Sequence, residues 1–507
     1  MTEVAYTAKK TIKDILAAGV QLTPEALKII LSLKNPAVVL EIVEEAKKAS
    51  EAVVLTRRDV EEIIRNKKSS VEGFNVQVGR KERGGVASPV IQSVLESEPN
   101  ITAKDVEEDF QVILDPTSRI GSNGTLDDFI KYFRDRYMRL SNIFLRRGDI
   151  KRFYKISEID GIKEGQIIGM VREISKTRSG AVILELEDLE ASIKVMIPED
   201  IAGKARNLML DQVVCIEGKS NGNLFIANNI LWPDVPFNHK PRRAEDPVLA
   251  VFISDTHVGS REFLEKPFRK FLEWLQGDRG DEKTRELAKR VKYLIIAGDI
   301  VDGVGVYPGQ EEDLIIDELY TQYEATAKYL EDVPDYIKII AIPGGHDATR
   351  QALPQPAIPK EYGEPLYEIG VEILGNPAHF RIHGVEVLAF HGDSLNDVLI
   401  ALSIEQSQPQ KAMVELLRGR HLAPIYGSTP IAPEPVDFLV IEKIPDILHC
   451  GHLHVNGQEN YRGITVINSG TFQAQTSYQK SMGLTPTPGK PYIVNLQNLK
   501  VTQLEFA

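Results

Sequence analysis

Aspartate and histidine residues recur directly after apolar segments in the second half of the chain. Five such segments follow one another: VLAVFISDTHVGS, YLIIAGDIVDG, IKIIAIPGGHDATR, VEVLAFHGDS and PDILHCGHLHVNG. Each apolar run is typical of a buried β-strand. Loops at strand ends can gather side chains from distant sequence positions into one cleft. The pattern therefore predicts one cluster of six residues: Asp255, His257, Asp299, His391, His452 and His454.

This mixture of carboxylates and imidazoles is typical of a transition-metal site. Such ligands suit Mn, Zn, Fe or Co, whereas Ca prefers oxygen ligands alone. One shared carboxylate can hold two ions about 3.5 to 4 Å apart, as in enzymes that displace phosphoryl groups. We predict that Asp299 is this bridge. Asp255-Thr256-His257 alone could be a capped turn, so the prediction depends on the whole set and its order.

Four further histidines and a cysteine lie outside this pattern. We interpret them as structural or surface residues rather than ligands, the cysteine as a buried residue at a strand end; they are His379, His383, His421, His449 and Cys450.

Composition limits the class of protein. The chain has 507 residues, of which 42% are hydrophobic and 26% charged, which is typical of a soluble globular protein of roughly three domains. No stretch is apolar enough to cross a membrane and no signal peptide is evident, so we expect a cytoplasmic protein without a membrane partner. The net charge of −13 excludes attraction to DNA over the whole surface, so any DNA contact must be local or come from a metal or a partner.

Four regions are predicted in a multidomain α/β chain. Residues 1–67 favour short helices, either a small docking domain or an appendage without a separate role. Residues 68–124 resemble a flexible linker. Residues 125–240 favour a helix followed by five strands, which fits an OB-type β-barrel. A proline-rich stretch near 240 then precedes an α/β domain over 241–507, and all ten histidines lie at or after position 239.

A basic segment lies before the predicted barrel. Residues 131–155 contain nine Lys or Arg, two Asp and six aromatic residues, a combination that can bind a phosphate backbone and stack on bases. Alternatively, Phe133, Tyr137, Leu140 and Phe144 form the buried stripe of an amphipathic helix and the basic residues are its solvated face. The candidate nucleic-acid contacts are Arg134, Arg136, Arg139, Arg146, Arg147, Lys151 and Arg152.

The order of the motifs DxH, GD, GxHD, HGD and GHxH resembles the calcineurin-like metallophosphoesterase superfamily. The resemblance implies a two-sheet α/β sandwich with a dimetal centre. Within that superfamily, the segments FIKYFRDRYMRLSNIFLRR, HLAPIYGSTPIAPEPVDFLVIEKIPDILHCGHLHVNG and YRGITVINSGTFQAQTSYQK resemble the small subunits of archaeal D-family DNA polymerases over about residues 125–507. This implies a replicative 3'→5' proofreading exonuclease that binds single-stranded or primer-terminus DNA, a large polymerase subunit and, as a further expected partner, a sliding clamp.

The resemblance also implies roles for individual residues. One ion would be bound by Asp255, His257, Asp299 and His454, and the other by Asp299, His391 and His452. The expected ions are divalent, manganese first, with zinc, iron or magnesium as alternatives. His346 would contact the phosphate and assist the leaving oxygen, and Asp347 would orient His346.

One position departs from the family pattern. Gly345 stands where the superfamily usually has asparagine, so the second ion has one protein ligand fewer. An alternative function is therefore a non-catalytic assembly subunit with a degenerate phosphoesterase site. A third, a stand-alone phosphoesterase of small phosphate esters, would need neither the barrel nor the N-terminal helices.

Overall fold

The computed structural model describes residues 102–178 and 180–507, together with two short strands near the N-terminus. The chain divides into two compact units, Met1–Gly84 and Gly85–Ala507. In the first unit, Gln21–Leu22 and Val54–Leu55 pair in parallel. The helices predicted within residues 1–67 lie outside the described residues.

The strands, numbered along the chain, are β1 (Gln21–Leu22), β2 (Val54–Leu55), β3 (Phe110–Leu114), β4 (Phe153–Tyr154), β5 (Gly165–Lys176), β6 (Val182–Glu187), β7 (Ser192–Ile197), β8 (Val213–Asn221), β9 (Leu224–Leu231), β10 (Leu249–Ile253), β11 (Val291–Ala297), β12 (Lys338–Ile342), β13 (Glu372–Ile373), β14 (Ala378–Ile382), β15 (Val385–Ala389), β16 (Ile447–Cys450), β17 (Asn456–Tyr461), β18 (Ile464–Ser469), β19 (Tyr492–Asn495) and β20 (Val501–Gln503). The described α-helices are α1 (Leu126–Leu145), α2 (Glu265–Leu275), α3 (Glu282–Lys289), α4 (Leu319–Leu330), α5 (Lys360–Glu368), α6 (Leu395–Leu402), α7 (Pro409–Gly419) and α8 (Ser477–Ser481).

Strands β5 to β9 form a closed barrel. Their order is β5-β6-β7-β9-β8, and β8 pairs back with β5. In β6, Val182, Leu184 and Leu186 are buried and alternate with half-buried residues, because successive side chains of a strand point to opposite faces. The predicted five-stranded barrel is confirmed, and its assignment to the OB type stays a prediction.

The remaining strands of the second unit, apart from β4, form two mixed sheets. One has the order β13-β12-β11-β10-β19-β20 and the other β17-β18-β16-β15-β14-β3. A shared apolar cluster joins their facing sides, with Phe252 and Ile340 from the first sheet and Phe380 and Val387 from the second. The outer face of the first sheet packs on α2 to α5 and that of the second on α6 and α7. The chain is therefore an α/β protein, as predicted.

Part of the predicted linker is a strand. Phe110–Leu114 forms the edge strand β3 and pairs antiparallel with β14. The Phe110 ring packs 6.0 Å from the Phe380 ring, and the Lys292 ammonium donates to the carbonyl of Val106 at 2.7 Å. The structure corrects the linker prediction for these residues, because an extended segment within a polar stretch can pair through its backbone with the edge of a sheet.

Among the residues that the structure describes, every helix is too short or too polar to cross a bilayer.

Candidate metal centre

The candidate ligands follow the ends of four strands, two in each sheet. Asp255 and His257 follow β10, Asp299 follows β11, and His391 follows β15. The pair His452 and His454 follows β16. Since β10 and β11 are parallel neighbours in one sheet and β15 and β16 in the other, their carboxyl ends lie on one side of the molecule.

Five of the six residues have an unusual backbone. Positive φ angles occur at Asp255 (52°), His257 (49°), Asp299 (48°), His452 (66°) and His454 (57°). For residues other than glycine, this left-handed region costs on the order of 1 to 3 kcal/mol each and persists only where surrounding structure imposes it. Such strain concentrates at functional sites, which favours a functional role for this cluster.

The six residues converge into two groups. Asp255, His257 and His454 can each offer a ligand atom within 4.8 Å of the others, and Asp299, His391 and His452 do the same. Asp299 Oδ2 lies 3.3 Å from His391 Nε2 and 3.6 Å from His257 Nε2. It therefore lies between the two groups, where a bridging carboxylate is required.

The donor atoms fit divalent cations. His391 Nε2 is buried and has no hydrogen-bond partner among the described residues. His257 Nε2 and His454 Nε2 face each other at 3.1 Å, and His454 Nε2 lies 3.4 Å from Asp255 Oδ1. Buried nitrogens are normally paired. A cation that prefers imidazole and carboxylate ligands would satisfy these atoms together.

Other side chains orient the ligands. His257 Nδ1 contacts Asp302 Oδ1 at 2.9 Å, and His391 Nδ1 donates to the carbonyl of Ala297 at 2.8 Å, so that both rings turn Nε2 toward the centre. The Asn396 side-chain amide lies 3.2 Å from His452 Nε2 and holds this ring in place. Asp302 was not predicted from the sequence, although it follows Asp299 by three residues in the same strand-end loop.

His346 lies against the first group. His257, Asp302 and His346 form a third set of close ligand atoms, and the ring centroids of His257 and His346 are 4.7 Å apart. His346 Nδ1 donates to the carbonyl of Asp302 at 2.7 Å. This contact leaves Nε2 as the atom that the ring can present to a substrate.

Asp347 contacts the backbone rather than the His346 ring. Its carboxylate accepts from the N–H of Gly344 at 2.8 Å and of Ile300 at 3.2 Å, and from the Tyr323 hydroxyl at 3.2 Å. The predicted role of Asp347 in orienting the His346 imidazole is thus corrected. Asp347 joins the loops after β11 and β12, and the Asp302 carbonyl orients the ring.

The aspartates and histidines of the cluster shift one another's pKa values. Burial would raise the pKa of the Asp299 carboxyl, but the His391 and His346 imidazoles outweigh it and hold that pKa well below its ordinary value. Burial would lower the pKa of His391, but the Asp299 carboxylate outweighs burial and raises it well above normal. The pKa of His346 is raised in the same way, by Asp299. Burial, with the Asp299 charge, raises the pKa of Asp347 to about 6.

The two glycines before His346 differ in the space around them. A Cβ on Gly344 would lie 2.4 Å from Asp299 Oδ1, so this position must be glycine. A Cβ on Gly345 would have Gln351 Oε1, 3.7 Å away, as its nearest neighbour, and the φ angle of Gly345 is outside the left-handed region. The structure therefore has room for a larger side chain at position 345.

The structure corrects the prediction for Arg136. This residue of α1 is fully buried, and its Nε donates to Asp437 Oδ2 at 2.9 Å while Nη1 donates to the carbonyl of Pro424 at 2.9 Å. Tyr132, Leu140 and Phe144 are buried beside it. The helix therefore has a buried stripe that includes Arg136. Of the four residues expected in that stripe, Leu140 and Phe144 are buried, whereas Phe133 and Tyr137 are half-buried.

The other basic candidates divide by exposure. Arg139 is half-buried and donates to the carbonyl of Asp437, and Arg147 is half-buried and pairs with Asp149. Four candidates are exposed: Arg134, Arg146, Lys151 and Arg152. Arg152 pairs with Glu164 at 2.8 Å. The exposed four stay candidates for contacts with nucleic acid.

The residues set aside in the sequence lie outside the three groups. His421 Nε2 contacts Asp437 Oδ2 at 2.8 Å, His379 Nε2 lies 3.3 Å from Glu386 Oε2, and His449 Nε2 contacts the Ser469 hydroxyl at 2.9 Å. His383 and Cys450 are buried. The interpretation of these five residues as structural stays a prediction.

Comparisons with known proteins show the family of this chain. The sequence model of the family of B-type subunits of DNA polymerase alpha/epsilon matches residues 250–456. The DNA polymerase II small subunit of Archaeoglobus fulgidus is 45% identical over 381 residues, which cover 75% of this chain and 77% of that protein. This chain belongs to the family of archaeal DNA polymerase II small subunits.

Two further relatives carry the same name. The small subunit of Methanothermobacter thermautotrophicus is 42% identical and the match covers 79% of this chain and 83% of that protein. The one from Halobacterium salinarum is 32% identical over 98% of this chain and 99% of that protein. The family resemblance found in the sequence is confirmed.

Proposed function

We propose that this small subunit is a metal-dependent 3'→5' exonuclease that hydrolyses DNA phosphodiesters within a two-subunit replicative polymerase. The observation that carries the proposal is the position of Asp299, whose carboxylate lies within 3.6 Å of imidazole nitrogens from both ligand groups. A shared carboxylate between two ligand groups is the arrangement of two-metal phosphoryl-transfer sites.

The described residues would hold two divalent cations. Asp255, His257 and His454 would form one set of ligands and Asp299, His391 and His452 the other. Asp299, 3.6 Å from His257, would contribute to both. Manganese suits this mixed oxygen and nitrogen set, with zinc, iron or magnesium as alternatives. Bound divalent ions supply an activated water at neutral pH and neutralise the charge on the phosphodiester.

His346 would assist departure of the leaving oxygen. In hydrolysis the oxygen of water bonds to phosphorus, the bond from phosphorus to the 3' oxygen breaks, and the released 3' oxygen takes a proton. His346 presents Nε2, because Nδ1 donates to Asp302, and its raised pKa favours the protonated ring. General acid catalysis of this kind contributes about 10²- to 10⁴-fold.

Delivery of DNA would require the large subunit. With a net charge of −13, this chain repels a polyanion over most of its surface. The exposed basic residues Arg134, Arg146 and Lys151 could guide the strand locally. The unit to be tested is therefore the complex with the large subunit.

One observation favours a second candidate function. Gly345 provides no ligand where the phosphoesterase pattern has asparagine, so a non-catalytic assembly role deserves a direct test. The test measures metal content and the Mn²⁺-dependent release of 3' nucleotides from single-stranded DNA, with and without the large subunit. About two ions per chain and nucleotide release support the exonuclease. Absence of both supports the assembly role, and preference for an aryl phosphate ester over DNA supports the small-ester phosphoesterase.

A further inference from the structure

A loop with an exposed aromatic side chain lies beside His346. This loop, residues 303–313, follows Asp302, and we call it the Tyr307 loop. The Tyr307 side chain is 38% exposed, yet its ring centroid lies 6.4 Å from that of His346 in an edge-to-face arrangement. An accessible aromatic ring therefore lies next to the residue that would contact the scissile phosphate.

The Tyr307 loop is fixed to the metal centre by buried contacts. Gln310 is fully buried, accepts from the N–H of Val306 at 2.8 Å, and donates to the carbonyl of Asp302 at 2.8 Å. That same carbonyl accepts from His346 Nδ1. At the start of the loop, a Cβ on Gly303 would lie 2.3 Å from the carbonyl oxygen of His346, and φ there is 74°. The loop thus requires glycine where it packs directly against the segment that carries His346.

The ring is held at its polar end. The Tyr307 hydroxyl donates to Asp313 Oδ2 at 3.0 Å. Because the hydroxyl is used inside the loop, the part of Tyr307 that remains to contact a ligand is the ring itself. An anchored ring also loses little conformational entropy when a ligand packs on it.

The charge of the loop selects the part of a nucleic acid that it can contact. Glu311, Glu312 and Asp313 are exposed acidic residues of the same loop. Carboxylates repel phosphate groups, so this loop does not suit a sugar-phosphate backbone. An uncharged base has no such penalty, and every base has a face that can stack on an aromatic ring.

We propose that Tyr307 stacks on a nucleobase next to the scissile phosphodiester and thereby positions single-stranded DNA without sequence preference. This inference rests on the proposed exonuclease function and names the part of the substrate that the site recognises. Stacking of one base on an aromatic side chain changes affinity by about 5- to 150-fold.

The first experiment measures stacking without turnover. The full-length chain carrying His346→Ala, in complex with the large subunit, binds a single-stranded oligonucleotide with 2-aminopurine at one of its last two positions in Mg²⁺. We expect binding to quench the fluorescence at one of these positions and Tyr307→Leu to remove the quenching. Tyr307→Phe, which keeps the ring and loses only the bond to Asp313, should restore it. Quenching that is equal with Tyr and Leu at position 307 would overturn the proposal.

The second experiment measures hydrolysis with His346 intact. Tyr307→Leu should raise the KM for single-stranded DNA by about 5- to 150-fold and leave kcat less affected. A second substrate has an abasic nucleotide at the position where the 2-aminopurine fluorescence was quenched. On this strand the variant and the parent should have similar kcat/KM. Equal losses on the normal and abasic strands would contradict stacking, because a general disturbance of the site affects both substrates.

Controls separate this proposal from a folding defect and from failure of the proposed function. Tyr362 in α5 is also 38% exposed, so Tyr362→Leu is the matched control and should change neither quenching nor KM. Metal content and Tm of the Tyr307 variants should equal those of the parent. If the parent complex hydrolyses no DNA but quenching still depends on Tyr307, the exonuclease proposal fails and stacking stands. If DNA is hydrolysed without any dependence on Tyr307, stacking alone fails.

Discussion

Two of the buried clusters of aspartate and histidine among the described residues differ in how completely their polar atoms are paired. In the cluster of Arg136, Asp437 and His421, Asp437 Oδ2 accepts from Arg136 Nε at 2.9 Å and contacts His421 Nε2 at 2.8 Å. His421 Nδ1 accepts from the N–H of Ala423 at 3.0 Å. In the metal centre, His391 Nε2 makes no hydrogen bond to the described residues, and the Asp299 carboxylate is 3.3 Å away.

The two clusters also differ in backbone conformation. Five candidate metal ligands have positive φ angles, whereas Arg136, Asp437 and His421 have none. The structural cluster also contains its own cation, the Arg136 guanidinium, whereas the metal centre has only carboxylates and imidazoles. Burial and residue type therefore do not distinguish a site from a structural network. What sets the metal centre apart is the convergence of carboxylate oxygens and ring nitrogens from several strand ends, combined with a strained backbone at five of the six residues.

The largest expected effect of a single substitution is at Asp299. Asp299→Asn keeps the shape but removes the charge that both ligand groups share, so we expect metal content to fall from about two ions per chain toward none and nuclease activity to fall below detection. Elemental analysis and nucleotide release measure both. Asp437→Asn, in the other cluster, is the matched control, and this variant should retain the metal content of the parent protein. An Asp299→Asn protein with two ions would contradict the bridging role.

Substitution of His346 tests whether this residue acts on the substrate rather than by binding metal. We expect His346→Ala to lower kcat by about 10²- to 10⁴-fold while metal content stays unchanged, because His346 lies beside the ligands without completing either main group. The control is His239→Ala, a half-buried histidine outside the three groups. Loss of metal in the His346 variant, or full activity, would show that the role is wrong.

Arg136 should affect folding and not metal binding. Arg136→Met leaves the fully buried Asp437 carboxylate without its guanidinium partner, so we expect the free energy of unfolding to fall by about 3 to 5 kcal/mol. Denaturant titration measures this effect. Metal content per folded chain should stay at the level of the parent protein. An Arg134→Met control at the exposed side of the same helix should change stability little.

These two clusters also show what sequence could and could not predict. All six candidate ligands were predicted, because each follows an apolar strand and the chain order of the motifs is specific. Arg136 was assigned to the surface because a one-dimensional pattern of basic residues does not show which of them faces a distant acid, and Asp437 is 301 positions away. The edge strand β3 was missed since its partner β14 is likewise remote in sequence.

The two clusters should also respond differently to pH. Burial, with the nearby Arg136 charge, lowers the pKa of His421 from its ordinary 6.5 to about 4. Between these pH values the unfolded chain binds a proton that the folded chain does not. The contribution of His421 to the free energy of unfolding is therefore complete above pH 6.5 and falls as the pH drops toward 4. The total loss is on the order of 3 kcal/mol. The free energies of unfolding of the parent and of His421→Gln should therefore converge as the pH falls. A difference that stays constant with pH would contradict this assignment.

The smallest expected effect is at position 345, where the phosphoesterase pattern has an asparagine ligand and this chain has glycine. Position 345 has room for a side chain, so Gly345→Asn should fold normally and supply the amide oxygen that the phosphoesterase pattern has at this position. We expect the affinity for the more weakly held ion to rise by about tenfold, at the lower end of what single residues around a site contribute. Gly345→Ala adds the same Cβ without an oxygen and should leave affinity unchanged. If both variants bind metal as the parent does, the side chain at position 345 does not reach the ion, and the glycine there is no sign of a degenerate site.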